Sequence, residues 1–263
     1  MRTLSRAIAN PAAAGREIAL PWRRMGQIVT LRTMELVVVA GAPGGGKSTL
    51  AANMAMGMRV PLLYCAQDSP ASVLSRMTAL ALGRETHDVT SAIANPDTRG
   101  GLVDEMKEVR PTLVFHRGAV SVDDVGEMAL GLVEWIGAAP PVIVVDNLID
   151  MIVPGYTHHD PQFYAAVLPQ FKRLAQSLDT AIVLLHHVTR GEWATGQKPL
   201  TMNSLLFAGE REARHVWGVY NNGADTLHIQ VLKQQDGPAD PNGSLEIALR
   251  WFPRMARLAS LEA

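Results

Sequence analysis

The sequence is poor in cysteine, in long apolar runs and in excess charge of either sign. Its one cysteine, Cys65, excludes an internal disulfide framework and a zinc site built from several cysteines, and it fits a reducing compartment. No apolar run approaches the about 20 residues that span a bilayer, so we expect no membrane partner. Lys and Arg number 24 against 25 Asp and Glu, a formal charge of −1. This balance argues against a protein held to nucleic acid by bulk positive charge, although it leaves room for a local basic patch.

Hydrophobic residues make up 48% of the 263 residues, and short apolar runs alternate with helical stretches from about residue 35 to 185. This pattern is typical of β-α-β units in a parallel sheet, whose strands are apolar throughout because helices cover both faces. The predicted strands are Leu36–Ala40, Pro61–Ala66, Leu113–His116, Val142–Val145 and Ala181–Leu185. The predicted helices are Ser48–Met58, Ala71–Leu82, Val122–Ile136 and Pro161–Leu178.

The C-terminal part has a different pattern, with turn residues such as Asn221-Asn222-Gly223 between short apolar runs. Turns of this kind join antiparallel strands. The strands predicted here are Trp217–Tyr220, Leu227–Lys233 and Leu245–Trp251. We therefore predict an α/β fold, a mainly parallel sheet flanked by helices with a C-terminal antiparallel extension. Residues 1–20 are expected to form a flexible or docking arm, residues 21–255 the domain, and residues 256–263 a tail.

A phosphate-binding loop matches the pattern G-x-x-x-x-G-K-[ST] in full. It reads Gly41-Ala42-Pro43-Gly44-Gly45-Gly46-Lys47-Ser48 and is followed by Thr49. Glycines let successive N–H groups point inward, and the helix that follows directs its positive end at the same point, so the loop forms a nest for phosphate. We expect all nine residues to contact ATP, with Lys47 on the β- and γ-phosphates and the Ser48 hydroxyl on Mg²⁺.

A second acidic element supports this interpretation. The segment Val142–Val145 is a run of buried-type residues that ends in Asp146. A carboxylate at the carboxyl end of a parallel strand lies at the ligand-binding edge of the sheet. We therefore expect Asp146 to share Mg²⁺ with Ser48, in a nucleotide triphosphatase or a nucleotide-dependent binding protein.

Polar residues also end the second and fifth predicted strands, where Gln67-Asp68 and His186-His187 follow apolar runs. Together with the phosphate loop and Asp146, this arrangement resembles the RecA-like ATPases. It is most similar to the hexameric replicative helicases of plasmids and phages, the DnaB and RepA type. The resemblance covers about residues 20–252 and implies a RecA-like P-loop core.

The resemblance also implies roles for individual residues. In these helicases the second strand ends in a catalytic Glu, a position that Gln67 takes here, with Asp68 beside it. Arg76 falls on a helix arginine placed near the base, and His187 falls on the phosphate sensor. The segment Lys233–Pro238 resembles the family pattern K-x-R-x-G-P, whose Lys and Arg reach the nucleotide of the neighbouring subunit.

Two departures from the family pattern matter for catalysis. Gln67 is not a base, and Gln235 stands where the family has an arginine. A glutamine can still orient water, and Asp68 lies close enough in sequence to act as the base. Lys233 then remains as the cation supplied to the neighbouring subunit. We expect hydrolysis to be slow or strongly stimulated by DNA.

The resemblance places DNA contacts in two loops, Ile152–Pro161 and Arg190–Asn203. Within the second loop, Arg190 and Lys198 are the basic candidates and Thr201 is a hydroxyl donor. A few cations per subunit would form a salt-sensitive phosphate track when repeated around a ring. The expected partners are single-stranded or branched DNA and further copies of the chain, with the hexamer as the implied form.

About 35 residues precede the first predicted core strand, too few for the extra N-terminal domain of larger replicative helicases. We therefore expect a minimal ring helicase of phage or plasmid replication or recombination, acting in the cytoplasm of a bacterial host. A RecA-like recombination ATPase is an alternative, as is a junction nuclease that uses Asp68, Asp146 and Asp150. A nucleotide-switched assembly protein without DNA is another.

Overall fold

The computed structural model of the protein describes residues 15–188, 195–205, 210–223 and 225–261. The strands in these residues are β1 (Glu17–Ile18), β2 (Leu31–Arg32), β3 (Leu36–Gly41), β4 (Leu62–Ala66), β5 (Leu113–Arg117), β6 (Val142–Asp146), β7 (Ala181–His187), β8 (His215–Asn221), β9 (Thr226–Gln234), β10 (Glu246–Phe252) and β11 (Arg257–Ser260). The helices are α1 (Arg23–Ile28), α2 (Lys47–Gly57), α3 (Pro70–Leu82), α4 (Thr86–Ala94), α5 (Pro96–Val109), α6 (Val122–Ile136) and α7 (Pro161–Ser177). Short 3₁₀ turns cover Leu148–Asp150, Met202–Ser204 and Pro253–Met255.

Nine of these strands form one mixed sheet in the order β11-β10-β9-β8-β3-β7-β6-β4-β5. The pairs from β8 through β3, β7, β6 and β4 to β5 are all parallel. The carboxyl ends of β3, β4, β6 and β7 therefore meet at one edge, where doubly wound sheets bind ligands. The predicted parallel sheet is confirmed, and each predicted strand has a counterpart whose ends differ by one or two residues.

The predicted antiparallel extension is also confirmed, because β8, β9, β10 and β11 pair antiparallel in sequence order. One of its strands, β11, covers residues that the sequence analysis assigns to a tail. Leu258 alternates inward on this strand and is buried, so its burial extends the sheet beyond residue 255. At the other end, β1 pairs with β2 through Ile18 and Leu31. Part of the predicted N-terminal arm is thus folded, and residues 1–14 lie outside the described residues.

The apolar strands divide two layers of helices. On one face, α2 and α3 cover the sheet, and Leu50, Met54 and Trp217 lie fully buried between them. On the other face, α6 and α7 pack through Val125, Phe171 and their neighbours. Because both faces are covered, the central strands have almost no exposed surface, which explains why their sequences do not alternate.

Helices α4 and α5 have no counterpart in the sequence analysis. The segment is polar and contains Gly100 and Gly101 inside α5, which weakens a helical pattern. Asn95 and Pro96 define the start of α5, since the Asn95 side chain accepts a hydrogen bond from Asp97 N and proline fits the first helical position. Among the residues that the structure describes, no helix combines the length and the hydrophobicity needed to cross a membrane.

Candidate nucleotide-binding site

The phosphate loop joins the end of β3 to the start of α2, and close packing determines where its glycines stand. A Cβ on Gly46 would lie 2.2 Å from Leu227 Cδ1, and Gly46 has φ +106°. A Cβ on Gly41 would lie 2.8 Å from the carbonyl oxygen of Val219. The β8–β9 hairpin therefore supports the loop from behind, and only glycine fits at these two positions.

Lys47 is the first residue of α2 and is 5% exposed. Its ammonium donates hydrogen bonds to the carbonyl oxygens of Gly41 at 2.8 Å and Ala42 at 3.0 Å. Burial lowers the pKa of Lys47 to about 8, and the nearby Asp146 carboxylate opposes the shift. An anion at the start of α2 would gain this cation together with the helix N-terminus.

Asp146 ends β6 and is held by two hydroxyls. Ser48 Oγ donates to Asp146 Oδ1 at 3.1 Å, and Tyr64 Oη donates to Asp146 Oδ2 at 2.8 Å. Burial raises the pKa of Asp146, while these two hydrogen bonds and Lys47 oppose that rise. A hydroxyl and a carboxylate that meet beside a phosphate loop are the oxygen ligands that Mg²⁺ prefers, so the residues present fit this ion.

These groups line one cleft of about 410 Å³ at the carboxyl edge of the sheet. The cleft combines the phosphate loop with residues from β6, β7, α3, α4 and the β10–β11 connection. Its lining comprises Ala42, Pro43, Gly44, Gly46, Lys47, Ser48, Thr49, Asp68, Ser69, Val73, Arg76, Thr86, Asp146, Asn147, His187, Trp251, Pro253 and Ala256. Of the predicted nucleotide contacts, Gly41 and Gly45 do not line the cleft, and Arg76 does.

The two histidines at the end of β7 have different surroundings. His187 lines the cleft, whereas His186 is fully buried and packs edge-on against the Tyr164 ring at 5.1 Å between centroids. Neighbouring side chains of a strand point to opposite faces, which accounts for the difference. Burial lowers the pKa of His187 to about 3, with Lys47 and His186 adding to the shift, so its ring is neutral near pH 7 in the absence of nucleotide.

Gln67 does not lie where the sequence analysis expects a water-orienting side chain. Its Nε2 donates to the carbonyl oxygen of Asn147 at 2.7 Å, and its Oε1 accepts from Val120 N at 3.2 Å. The side chain is 8% exposed and does not line the cleft. Both ends of the amide bind backbone groups that burial hides from water. Asp68, the next residue, does line the cleft.

Lys233 lies at the opposite edge of the sheet from its own phosphate loop. In the β8–β9 ladder it pairs with Val216 near the start of β8, whereas Leu227 pairs with Asn221 at the end near the loop. Lys233 Nζ donates to the carbonyl oxygen of Glu210 at 2.9 Å. Burial and the charge of Lys172 lower the pKa of Lys233, against the opposing charges of two glutamates. Lys233 does not reach the cleft of its own chain.

Of the predicted DNA contacts, Lys198 and Thr201 lie in the described segment 195–205, whereas Arg190 lies outside the described residues. Lys198 is exposed and Thr201 precedes a 3₁₀ turn. Neither residue lines the cleft, so the segment offers a surface separate from the nucleotide site.

Sequence reasoning missed the wall of the cleft that faces the phosphate loop. Trp251 and Pro253 come from the C-terminal strands, and Thr86 comes from the start of α4. Trp251 Nε1 and Thr86 Oγ1 are shielded from solvent and have no hydrogen-bond partner among the described residues. Tyr64 was missed as well, although a hydroxyl inside an apolar strand is a signal that a buried partner exists.

Comparison with solved structures shows the same fold. One solved ATPase domain superposes with a TM-score of 0.78 at 13% identity, over 98% of this chain and 96% of that chain. A DnaB-like replicative helicase, solved in a study of its interactions with primase, superposes with a TM-score of 0.77 at 14% identity. There the match covers 98% of this chain and 65% of the helicase chain. The resemblance to RecA-like helicase ATPase domains is thus confirmed at the level of the fold.

Comparison of sequences finds phage proteins. Gene 65 protein of Mycobacterium phage L5 is 26% identical over 238 residues, which are 88% of each chain. Gene 65 protein of Mycobacterium phage D29 is 24% identical over 223 residues, 82% of this chain and 95% of that protein. Residues 15–192 match the family described as AAA domain, and they include the phosphate loop, Asp146 and His187. Since this match spans more than half of the sequence, the chain belongs to the AAA domain family of P-loop ATPases.

Proposed function

We propose that the protein hydrolyses Mg-ATP, is stimulated by DNA, and works as the motor subunit of a ring helicase. One observation carries the ATPase part. A single cleft brings together a cation at a helix N-terminus, a hydroxyl–carboxylate pair suited to Mg²⁺, and two further polar side chains, Asp68 and His187. A phosphate cradle alone binds nucleotide, whereas hydrolysis also needs groups that orient water and stabilise charge.

Each residue has a distinct task in this mechanism. Lys47 leaves the carbonyl oxygens of its own loop and binds the β- and γ-phosphates. Asp68 accepts a hydrogen bond from the attacking water and takes its proton as the γ-phosphate bond to ADP breaks. His187, neutral before binding, donates to the γ-phosphate. Mg²⁺, held by Ser48 and Asp146, would neutralise charge on the phosphate oxygens.

Assembly follows from the position of Lys233. This residue lies at the sheet edge opposite Lys47, so it has no task at its own nucleotide. A neighbouring copy placed head to tail would receive Lys233 at its cleft, as the family pattern K-x-R-x-G-P implies. We therefore propose a homo-oligomer, with a hexameric ring as its form.

The DNA part is supported by the comparisons and by the segment 195–205. One of the similar folds is that of a DnaB-like replicative helicase, and the sequence relatives are phage proteins. We propose that Lys198 and Thr201, together with Arg190, contact the DNA backbone from each subunit of a phage protein in the host cytoplasm. Among the described residues, no three His, Cys, Asp or Glu side chains are grouped to hold a metal ion, so nothing in them favours the nuclease alternative.

The decisive experiment measures ATP hydrolysis with and without circular single-stranded DNA. We expect DNA to raise the rate by at least about tenfold, and Lys47→Ala to abolish hydrolysis with and without DNA. Lys107→Ala is the matched control, because Lys107 is an exposed lysine paired with Asp104 on α5. Displacement of a strand from a forked duplex would separate a helicase from a recombination ATPase. A rate that ignores every form of DNA would instead favour a nucleotide-switched assembly protein.

A further inference from the structure

The segment 195–205 touches the phosphate loop directly. Gly196 has φ +68°, and a Cβ there would lie 2.8 Å from Gly45 Cα and 3.0 Å from Gly45 N. Two glycine backbones therefore meet with no side chain between them. A Cβ in place of either hydrogen at Gly196 would push the loop away, and the positive φ disfavours other residues as well.

Asn221, the last residue of β8, joins these two backbones. Its side-chain Nδ2 donates to the carbonyl oxygen of Gly44 at 3.2 Å, and its backbone N donates to the carbonyl oxygen of Gly196 at 2.9 Å. Its Oδ1 accepts from Gly223 N at 3.2 Å, which fixes the orientation of the amide. One residue thus bonds the phosphate loop on one side and the segment 195–205 on the other.

The far end of the same stretch is anchored in the core. Gln230 is fully buried; its Oε1 accepts from Leu200 N at 2.7 Å, and its Nε2 donates to the carbonyl oxygens of Leu200 and Gly243. Only Gln197, Lys198 and Pro199 lie between this anchor and Gly196, and all three are exposed. The exposed stretch is therefore held at one end by the core and at the other by the phosphate loop.

We propose that Asn221 is a positioning residue that transmits occupation of the phosphate loop to residues 196–200. The physical link is the planar peptide between Gly44 and Gly45, whose N–H and C=O point in opposite directions. Gly45 N donates to the carbonyl oxygen of Ala42 at 3.0 Å, while Gly44 O accepts from Asn221. Phosphate that draws the loop N–H groups inward turns this peptide, which moves Gly44 O against Asn221 and Gly45 Cα against Gly196.

Because the proposed function makes residues 196–200 part of a DNA-binding surface, Asn221 would couple ATP to DNA. The coupling itself is measurable without DNA. Hydrogen exchange of the amides of residues 196–200 is compared in the full-length protein with and without a non-hydrolysable ATP analogue and Mg²⁺. We expect the nucleotide to change exchange in the wild type by about fivefold or more, and Asn221→Ala to remove most of that change.

The matched control is Asn242→Ala, an exposed asparagine in the β9–β10 turn away from the phosphate loop. Gly196→Ala is a second variant that separates the loop from the segment, and Gly137→Ala controls for it, because Gly137 has φ +78° with open space around its Cβ position. Both controls should keep the wild-type response. A full nucleotide response in Asn221→Ala, or none in the wild type, overturns the proposal.

DNA stimulation of ATP hydrolysis is the second readout. We expect its ratio to fall in Asn221→Ala by about fivefold relative to Asn242→Ala. If the wild type shows no DNA stimulation, the proposed function fails, yet the exchange experiment still decides on the coupling. An unchanged stimulation ratio in Asn221→Ala contradicts the coupling even where DNA stimulation is confirmed.

Discussion

The Tyr64 hydroxyl donates a 2.8 Å hydrogen bond to Asp146 Oδ2, across two neighbouring parallel strands. Tyr64 is fully buried, and its ring stacks on Phe115 at 5.9 Å between centroids. The bond leaves Asp146 Oδ1 facing Ser48. A side chain that never reaches the cleft thus orients the carboxylate that would hold Mg²⁺.

Replacing Tyr64 by Phe removes only this hydroxyl. We expect the Mg²⁺ dependence of ATP hydrolysis to shift to about tenfold higher concentration, as is usual when a partner of a metal ligand is lost. The free energy of unfolding should fall by about 1 kcal/mol, because one buried acceptor loses its donor. Titration of the rate with Mg²⁺ tests the assignment, and an unchanged midpoint would contradict it.

Gln67 and Asp68 should respond differently to substitution. Asp68→Ala should lower kcat by about 10²-fold or more, the usual contribution of a positioned base, with little change in the denaturant midpoint. Gln67→Ala leaves the buried Val120 N and the Asn147 carbonyl oxygen without the partners they have now, so we expect a loss of about 2 kcal/mol of stability. Rates and unfolding curves for both variants separate the two roles. A larger catalytic than structural effect at Gln67 would restore it as the water-orienting residue.

His187 gives the nucleotide-free protein a predictable response to acid. Burial lowers its pKa to about 3, below the value of about 6.5 for an unfolded chain. The unfolded state therefore takes up a proton first as pH falls through about 6.5, and stability present above that pH is progressively lost toward pH 3. We expect His187→Gln to lose less stability than the wild type between about pH 7 and pH 5 in denaturant titrations. Equal losses would show that His187 does not contribute.

Trp251 should report nucleotide binding. Its indole lines the cleft, and Nε1 has no partner among the residues that the structure describes, so a nucleotide base or ribose can pack or bond there. We expect ATP to change the tryptophan fluorescence, and Trp251→Phe to abolish most of that change. Trp251→Ala should raise KM for ATP by about fivefold to tenfold, the equivalent of one aromatic contact. Trp135→Phe serves as control, because Trp135 is 64% exposed on α6; a change that persists in Trp251→Phe places the base elsewhere.

Local patterns were sufficient to predict the parts of the site that the chain builds from neighbouring residues. The phosphate loop needs glycines, a lysine and a following helix at fixed spacing, so Gly41–Ser48 could be located from sequence. Asp146 could be located because an apolar run that ends in a carboxylate defines both a strand and its edge. Helix α6 could be predicted at its observed bounds, since the capping box of Ser121 and Asp124 sets its start.

Contacts between distant segments could not be predicted in this way. Trp251 reaches the cleft only because β10 and β11 fold back beside α2, and the bond between Asn53 and Leu258 that secures them spans 205 residues. Gln67 was misplaced for a related reason: its partners, Val120 and the Asn147 carbonyl, belong to other strand ends. A sequence position aligned with a catalytic residue does not specify what the side chain finds to bond with.

The separation of Lys233 from Lys47 across one sheet has a consequence for counting active sites. Two copies related by a two-fold axis would present like surfaces to each other, so neither cleft would receive a lysine. A head-to-tail row of copies completes every cleft except the terminal one, and only closure removes that unfinished end. Activity per subunit should therefore grow with the length of an open row and reach its full value when the row closes on itself.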